Sequence, residues 1–121
     1  MEKANSRETG SSYEREAAAY LEDQGYQILQ MNYRCRIGEI DIIARDETYL
    51  VFVEVKYRRN FSCGMPQEAV GLRKQRVICK VADYYRMTHG CTEATPCRFD
   101  VVAVCGQELQ LFRNAFDYIG W

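Results

Sequence analysis

Histidine is almost missing from this chain, with His89 the single copy among 121 residues. Cysteine is present at 35, 63, 79, 91, 97 and 105, but no two form a Cys-x-x-Cys pair. Those two gaps exclude the usual zinc-site spacings. His89 itself reads as a helix-terminal cap rather than a ligand. No apolar run approaches the roughly 18 residues that cross a bilayer, and Met1-Glu2-Lys3-Ala4-Asn5-Ser6 carries no apolar stretch of signal-peptide type. The expectation is a cytoplasmic protein with no membrane partner, reduced thiols, and Cys79 and Cys105 as core fillers. Repeats and low-complexity segments are lacking too. The length suits one domain: a flexible polar lead-in over residues 1–10, then a single domain over 11–121.

A large charge of one sign is also missing. The net charge is −1, which by itself does not call for a polyanionic partner. The distribution is less even. Residues 34–80 hold ten Lys/Arg against six Asp/Glu, and the rest of the chain is acidic. Three of those six acids are Glu39, Asp41 and Glu54. If a cation covers some of them, that face is more basic than the count implies.

What is present is a hairpin. Residues 38–56 read as two β-branched, apolar strands separated by Asp46-Glu47-Thr48. Within them stand four charges with no structural need to be there: Glu39, Asp41, Glu54 and Lys56. A turn with Glu47-Thr48 at its tip sets Asp46 opposite Tyr49, Asp41 opposite Glu54 and Glu39 opposite Lys56. Alternation then puts all four on one face. Opposed side chains have Cβ atoms about 4.5–5.5 Å apart, and like charges that close destabilise a sheet. A divalent metal removes the conflict. Mg²⁺ takes carboxylate oxygens and keeps waters for phosphate chemistry. The alternative is a Glu39–Lys56 cross-strand ion pair beside solvated Asp41 and Glu54.

Around the hairpin, a helix is expected from Ser11 or Ser12 to about Gln24, with Gly25 ending it and Ala17, Ala18, Tyr20 and Leu21 as its stripe. Ser11-x-x-Glu14 has capping-box spacing. Tyr26–Tyr33 reads as a strand. Arg58–Met65 is a loop placed to meet phosphate. Pro66 suits the first turn of a long helix from Gln67 to Met87, with Val70, Val77, Ile78, Val81 and Tyr85 buried. Arg73, Lys74, Gln75 and Arg76 cluster in its first half, where a helix N-terminus already attracts phosphate. Arg98–Cys105 and Glu108–Phe112 read as strands joined at Gly106-Gln107, and Ala115–Trp121 closes the chain. The order α-β-β-β-α-β-β is an α/β fold. Strand, helix, strand implies a parallel crossover, so 49–57 should lie beside 98–105 inside a mixed sheet flanked by helices.

Asp41, twelve intervening residues, then Glu54-Val55-Lys56 resembles the PD-(D/E)xK nuclease superfamily, with Ile40 in place of the eponymous proline. Four blocks in order resemble the YraN-like bacterial family, which is considered endonuclease-like and distantly similar to Holliday-junction resolvases. They are Gly38–Arg45, Val51–Arg58, Arg73–Arg76 and Cys97–Val102. The resemblance implies a restriction-endonuclease-like core and a metal-dependent endonuclease acting on DNA, branched or structured DNA in particular. It implies Mg²⁺ or Mn²⁺ on Asp41, Glu54 and the Val55 carbonyl. Lys56 would orient water and neutralise charge, Glu14 would assist the metal from the first helix, and Gln75 would position substrate or metal water. Arg58, Arg59, Arg73, Lys74 and Arg76 would contact the nucleic acid. Glu14 cannot be both a capping residue and a metal assistant in one conformer. Resolvase-like action on two strands would favour a homodimer. Two other classes stay open: a non-catalytic nucleic-acid-binding module, and a structural or adaptor protein using Tyr118 and Trp121 as a contact surface.

Overall fold

The hairpin organises a five-stranded sheet. The computed structural model describes residues 6–58 and 70–120, with side chains from Ser12 onward. The elements are α1 (Ser6–Asp23), β1 (Gln27–Arg34), β2 (Glu39–Asp46), β3 (Tyr49–Tyr57), α2 (Leu72–Thr88), β4 (Cys97–Cys105) and β5 (Glu108–Phe116). Spatial order follows chain order from β1 to β5. Only β3 and β4 are parallel, joined through α2, and the other neighbours are antiparallel. The α/β architecture and the central place of β3 match the sequence expectation.

Alternation along β3 builds two cores. Val51 and Val53 join Ile42, Ala44, Val102 and Val104 under Ala17, Ala18 and Leu21 of α1. Leu50 and Phe52 join Ile43, Phe99 and Val101 under Ile78, Val81, Ala82 and Tyr85 of α2. A strand buried on both faces explains the unbroken apolar run before Glu54.

The tip of the hairpin is as expected: Asp46 faces Tyr49, and Glu47 takes the left-handed φ of 56° that the tight turn needs. The pairing runs to Ile42 opposite Val53 and stops there, one pair short of Asp41 and Glu54. The reason lies across β1. Met31 pairs Ile42 and faces the α1 core, whereas Tyr33 pairs Ile40 and faces the α2 core. Alternation therefore breaks between them, at Asn32, which has a φ of 52°. Asp41 sits at this fault, free of the ladder. The expectation that all four charges share one face fails for the same reason. Glu39 pairs with Arg34 across β1–β2, Nε to Oε2 at 2.8 Å, instead of with Lys56.

Other boundaries move. The first helix begins at Ser6, inside the lead-in expected over 1–10. Ser11 is thus interior to the helix, and its capping-box reading for Glu14 falls. The helix does end at Gly25 as expected. The Gly25 N–H donates to the Glu22 carbonyl and the Tyr26 N–H to the Leu21 carbonyl, both at 3.0 Å, with a Gly25 φ of 96°, the double bond of a Schellman stop. The second helix begins at Leu72, so Val70 is buried ahead of the helix rather than in it. Gln67, Pro66, most of the Arg58–Met65 loop including Arg59 and Cys63, and Trp121 lie outside the described residues. β5 continues to Phe116, past the expected Phe112, because a bulge at Asn114 lets the strand carry on. His89 caps α2 as expected: its N–H donates to the Tyr85 carbonyl at 3.0 Å and its ring stacks on Tyr85. Cys79 is a buried thiol, while Cys105 is only half-buried at the end of β4.

Candidate active site

The fault at Asp41 creates a cluster of acids at the end of β2 and β3. Asp41, lacking a ladder partner, turns its carboxylate inward and accepts the Val55 N–H on Oδ2 at 2.8 Å. Glu54, on the α2 face of β3, hydrogen-bonds Asp41 from one side, and Glu14 on α1 hydrogen-bonds it from the other. The Asn32 side chain also reaches Glu14. Asp41 and Glu54 are 9% and 7% exposed, so water screens them poorly.

Three carboxyl groups in series cannot all be ionised at neutral pH. Burial above all, then hydrogen bonding and repulsion from Asp41, push Glu54 up to about 9. Burial first and Asp41 second push Glu14 up to about 7. Two lysines oppose this. Lys74 of α2 brings Nζ to 3.7 Å from Glu54 Oε2, and Lys56 lowers the Glu54 pKa from farther along the strand.

One atom is left over. Glu54 Oε2 is buried and has no hydrogen-bond partner. An unsatisfied buried carboxylate oxygen is costly and calls for explanation by an ion or water. The donor set fits a hard divalent cation. Mg²⁺ is commonly held by one or two carboxylates, with waters completing its shell, rather than by an all-protein cage. Among the described residues, no group of three His, Cys, Asp or Glu is placed to hold a metal ion.

The structure thus brings together Glu14, Asp41 and Glu54, with Val55 bonded through its backbone and Lys56 beside them. It treats the other expected residues differently. Lys74, expected on nucleic acid, pairs with Glu54. Gln75 donates Nε2 to the Val70 carbonyl at 2.8 Å and so ties down the approach to α2. Arg73 and Arg76 are exposed on α2, and Arg58 is half-buried just past β3 with its N–H on the Val104 carbonyl.

Sequence reasoning missed Asn32, although an Asn inside an apolar strand is a known tolerant of left-handed φ. It also gave no role to a second polar centre, built on Asp100. This residue is fully buried. It accepts Arg98 Nε on Oδ1 and Nη2 on Oδ2, both at 2.9 Å, the Tyr26 hydroxyl at 2.6 Å and the Asn114 N–H at 2.9 Å. Arg98 Nη2 also reaches Asp46 at 2.8 Å. The network fastens the hairpin tip, β4 and the β5 bulge, and its bonds are satisfied, so it is structural. The signal was Arg98-x-Asp100 on one face of an apolar strand.

Comparison with known proteins agrees across most of the chain. A 55% identical protein of Lachnoclostridium phytofermentans, named UPF0102 protein, aligns over 96% of this chain and 98% of its own length. UPF0102 proteins of Syntrophus aciditrophicus (51% identical, 90% of this chain and 88% of theirs) and Caldicellulosiruptor saccharolyticus (42%, 93% and 99%) are similar as well. The sequence profile described as "Uncharacterised protein family UPF0102" matches residues 13–104, a span that includes Glu14, Asp41, Glu54, Lys56 and Asp100. The chain belongs to the UPF0102 family.

Proposed function

We propose that this protein is a metal-dependent endonuclease that hydrolyses phosphodiester bonds in DNA, with branched or structured DNA as its substrate. The observation that carries the reading is the buried Oε2 of Glu54 beside Asp41, which has no hydrogen bond and only a 3.7 Å ion-pair contact with Lys74 Nζ, with Lys56 nearby. Asp41 and Glu54 would hold Mg²⁺ or Mn²⁺, with the Val55 carbonyl as a further donor. Such an ion, when bound, supplies Lewis acidity and lowers the pKa of bound water.

The chain's own residues have separable tasks. The Val55 N–H fixes the Asp41 carboxylate. Lys56 and Lys74 supply positive charge where a phosphate gains negative charge in the transition state. Glu14, whose carboxyl is pushed above the ordinary carboxylate range by burial first and by Asp41 second, is placed to give or take a proton through water. Gln75 acts by anchoring the start of α2, which carries Lys74. Arg73 and Arg76, with Arg58 and Arg59, are the proposed phosphate contacts that position the nucleic acid. A homodimer would suit cleavage of two strands. The proposed setting is the cytoplasm, where thiols such as Cys35, Cys79, Cys91 and Cys97 would stay reduced.

The test is a cleavage panel of linear, flapped, gapped and four-way DNA with Mg²⁺ or Mn²⁺. Wild type should cut at least one branched substrate, and Glu54→Ala should cut none. Identical behaviour of the two proteins on every substrate refutes the reading.

A further inference from the structure

Past the acid cluster, β3 ends in an aromatic pair. Tyr57 stacks on Tyr13 of α1 with ring centroids 4.9 Å apart and planes inclined by 12°. Position brings both rings to the end of the sheet that holds the acid cluster. Tyr13 immediately precedes Glu14, whose carboxyl reaches Asp41. Tyr57 immediately follows Lys56 and stands three residues from Glu54, about 10 Å along an extended strand, on the α1-facing side of β3 that Glu14 also approaches, whereas Glu54 and Lys56 face α2.

Tyr57 differs from the tyrosines of the core, while Tyr49 at the other end of the same strand is likewise 41% exposed. Tyr26, Tyr33 and Tyr85 are 4%, 8% and 7% exposed, as core rings should be. Tyr57 remains 49% exposed although one neighbour already stacks on it. Sealing α1 against the end of the sheet would need only an apolar side chain. A rigid ring backed by a second, nearly parallel ring is instead the shape of a stacking platform. Its chemistry selects a flat π-system. Lys56 and Arg58, its chain neighbours, bring positive charge to this end of β3 from the other face, which a phosphodiester backbone passing the strand end would complement. A base inside a duplex has both faces covered by its neighbours, so only an unpaired base can lie on such a platform.

We infer that Tyr57, backed by Tyr13, stacks an unpaired nucleobase next to the phosphate held at Asp41 and Glu54, so that the substrate must carry a single-stranded segment at the point of attack. The inference rests on the nuclease reading for the identity of that phosphate, but its test does not use cleavage. The probe is DNA carrying 2-aminopurine in a single-stranded gap, compared with the same sequence as a blunt duplex, both in chelator. Anisotropy reads affinity and 2-aminopurine quenching reads stacking. Wild type should bind the gapped DNA more tightly than the duplex and quench the probe. Base–aromatic contacts of this kind predict a loss of roughly 5- to 100-fold in gapped-DNA affinity for Tyr57→Ala, with quenching abolished. Tyr57→Trp should keep both. Tyr57→Leu retains an apolar cover for Tyr13 and α1, and should lose quenching while keeping the wild-type melting temperature, so the outcome does not depend on whether the alanine variant folds.

Unchanged quenching in both the alanine and leucine variants overturns the inference, as does an equal loss of affinity for gapped and duplex DNA. If wild type never hydrolyses DNA but quenching depends on Tyr57, the catalytic reading falls and the platform stands. If hydrolysis depends on Glu54 but quenching ignores Tyr57, the reverse holds.

Discussion

Replacing Asp41 separates its two duties. One is electrostatic: beside Glu54 it makes the metal-free site hold a proton at neutral pH. The other is structural: its Oδ2 satisfies the Val55 N–H at 2.8 Å. Asp41→Asn keeps a carbonyl oxygen for Val55 and offers an N–H to Glu54, where the wild type needs a shared proton. Glu54 is pushed up to about 9 from 4.5, so folding at pH 7 requires it to retain a proton that the unfolded chain releases. Each pKa unit amounts to roughly 1.4 kcal/mol. Burial, the largest cause, survives the substitution, and the share from Asp41 does not. The asparagine variant should therefore equal wild type in chelator or exceed it by about 1 kcal/mol. Asp41→Ala gains the same relief but orphans the Val55 N–H, at a cost of roughly 1–3 kcal/mol. Unfolding entropies near 2.1 cal/mol/K per residue make 1 kcal/mol worth about 4 °C for a chain of this length. Differential scanning calorimetry in chelator at pH 7 should thus place the alanine variant about 4–12 °C below the asparagine variant. Asparagine melting as low as alanine would mean that the carboxylate charge itself is structural, and the argument for strain at the site would be wrong.

Other outcomes follow from the same structure. In chelator, wild-type stability should fall as pH rises from about 5 to 9, because Glu54, at about 9, and Glu14, at about 7, both lie above their ordinary value of 4.5 and hold protons that the unfolded chain has lost; a flat urea-midpoint profile across that range would contradict it. Arg98→Met strips two donors from the fully buried Asp100 and should cost about 3–5 kcal/mol in urea unfolding; a loss below about 1 kcal/mol would show that Asp100 does not depend on Arg98. Gly38→Ala would bring a methyl group to 2.7 Å from Val77 Cγ1, costing about 1–3 kcal/mol, and Val77→Ala in the same chain should restore part of it.

Much of this architecture could be read from the chain because its signals are local. The β2–β3 register rests on a two-residue turn between alternating strands, and Gly25 stops α1 through its own φ. The parallel β3–β4 pairing needs only strand, helix, strand. The rest depends on distant partners. Nothing near Asp41 says that Asn32 will break the alternation of β1 and release the carboxylate from the ladder. Lys74 faces Glu54 only because α2 begins at Leu72, and a start five residues earlier leaves that phase undetermined. Arg113-Asn114 looks like the end of a strand until the Asp100 carboxylate, fourteen residues upstream, accepts the Asn114 N–H and carries the strand past its bulge. The Ser11-x-x-Glu14 spacing is a sound local signal, overridden because the helix was already under way. Asp41 and Glu54 themselves were legible, as two acids where a buried hairpin has no use for them.

Isothermal titration of Mn²⁺ into chelator-stripped protein at pH 7, repeated in buffers of different ionisation enthalpy, bears most directly on whether Asp41 and Glu54 hold a metal. Wild type should show one saturable site, with protons released on binding because Glu54 holds one beforehand, and Asp41→Asn and Glu54→Gln should show no such site. Equal Mn²⁺ affinity in all three proteins, or binding by wild type without proton release, would contradict it.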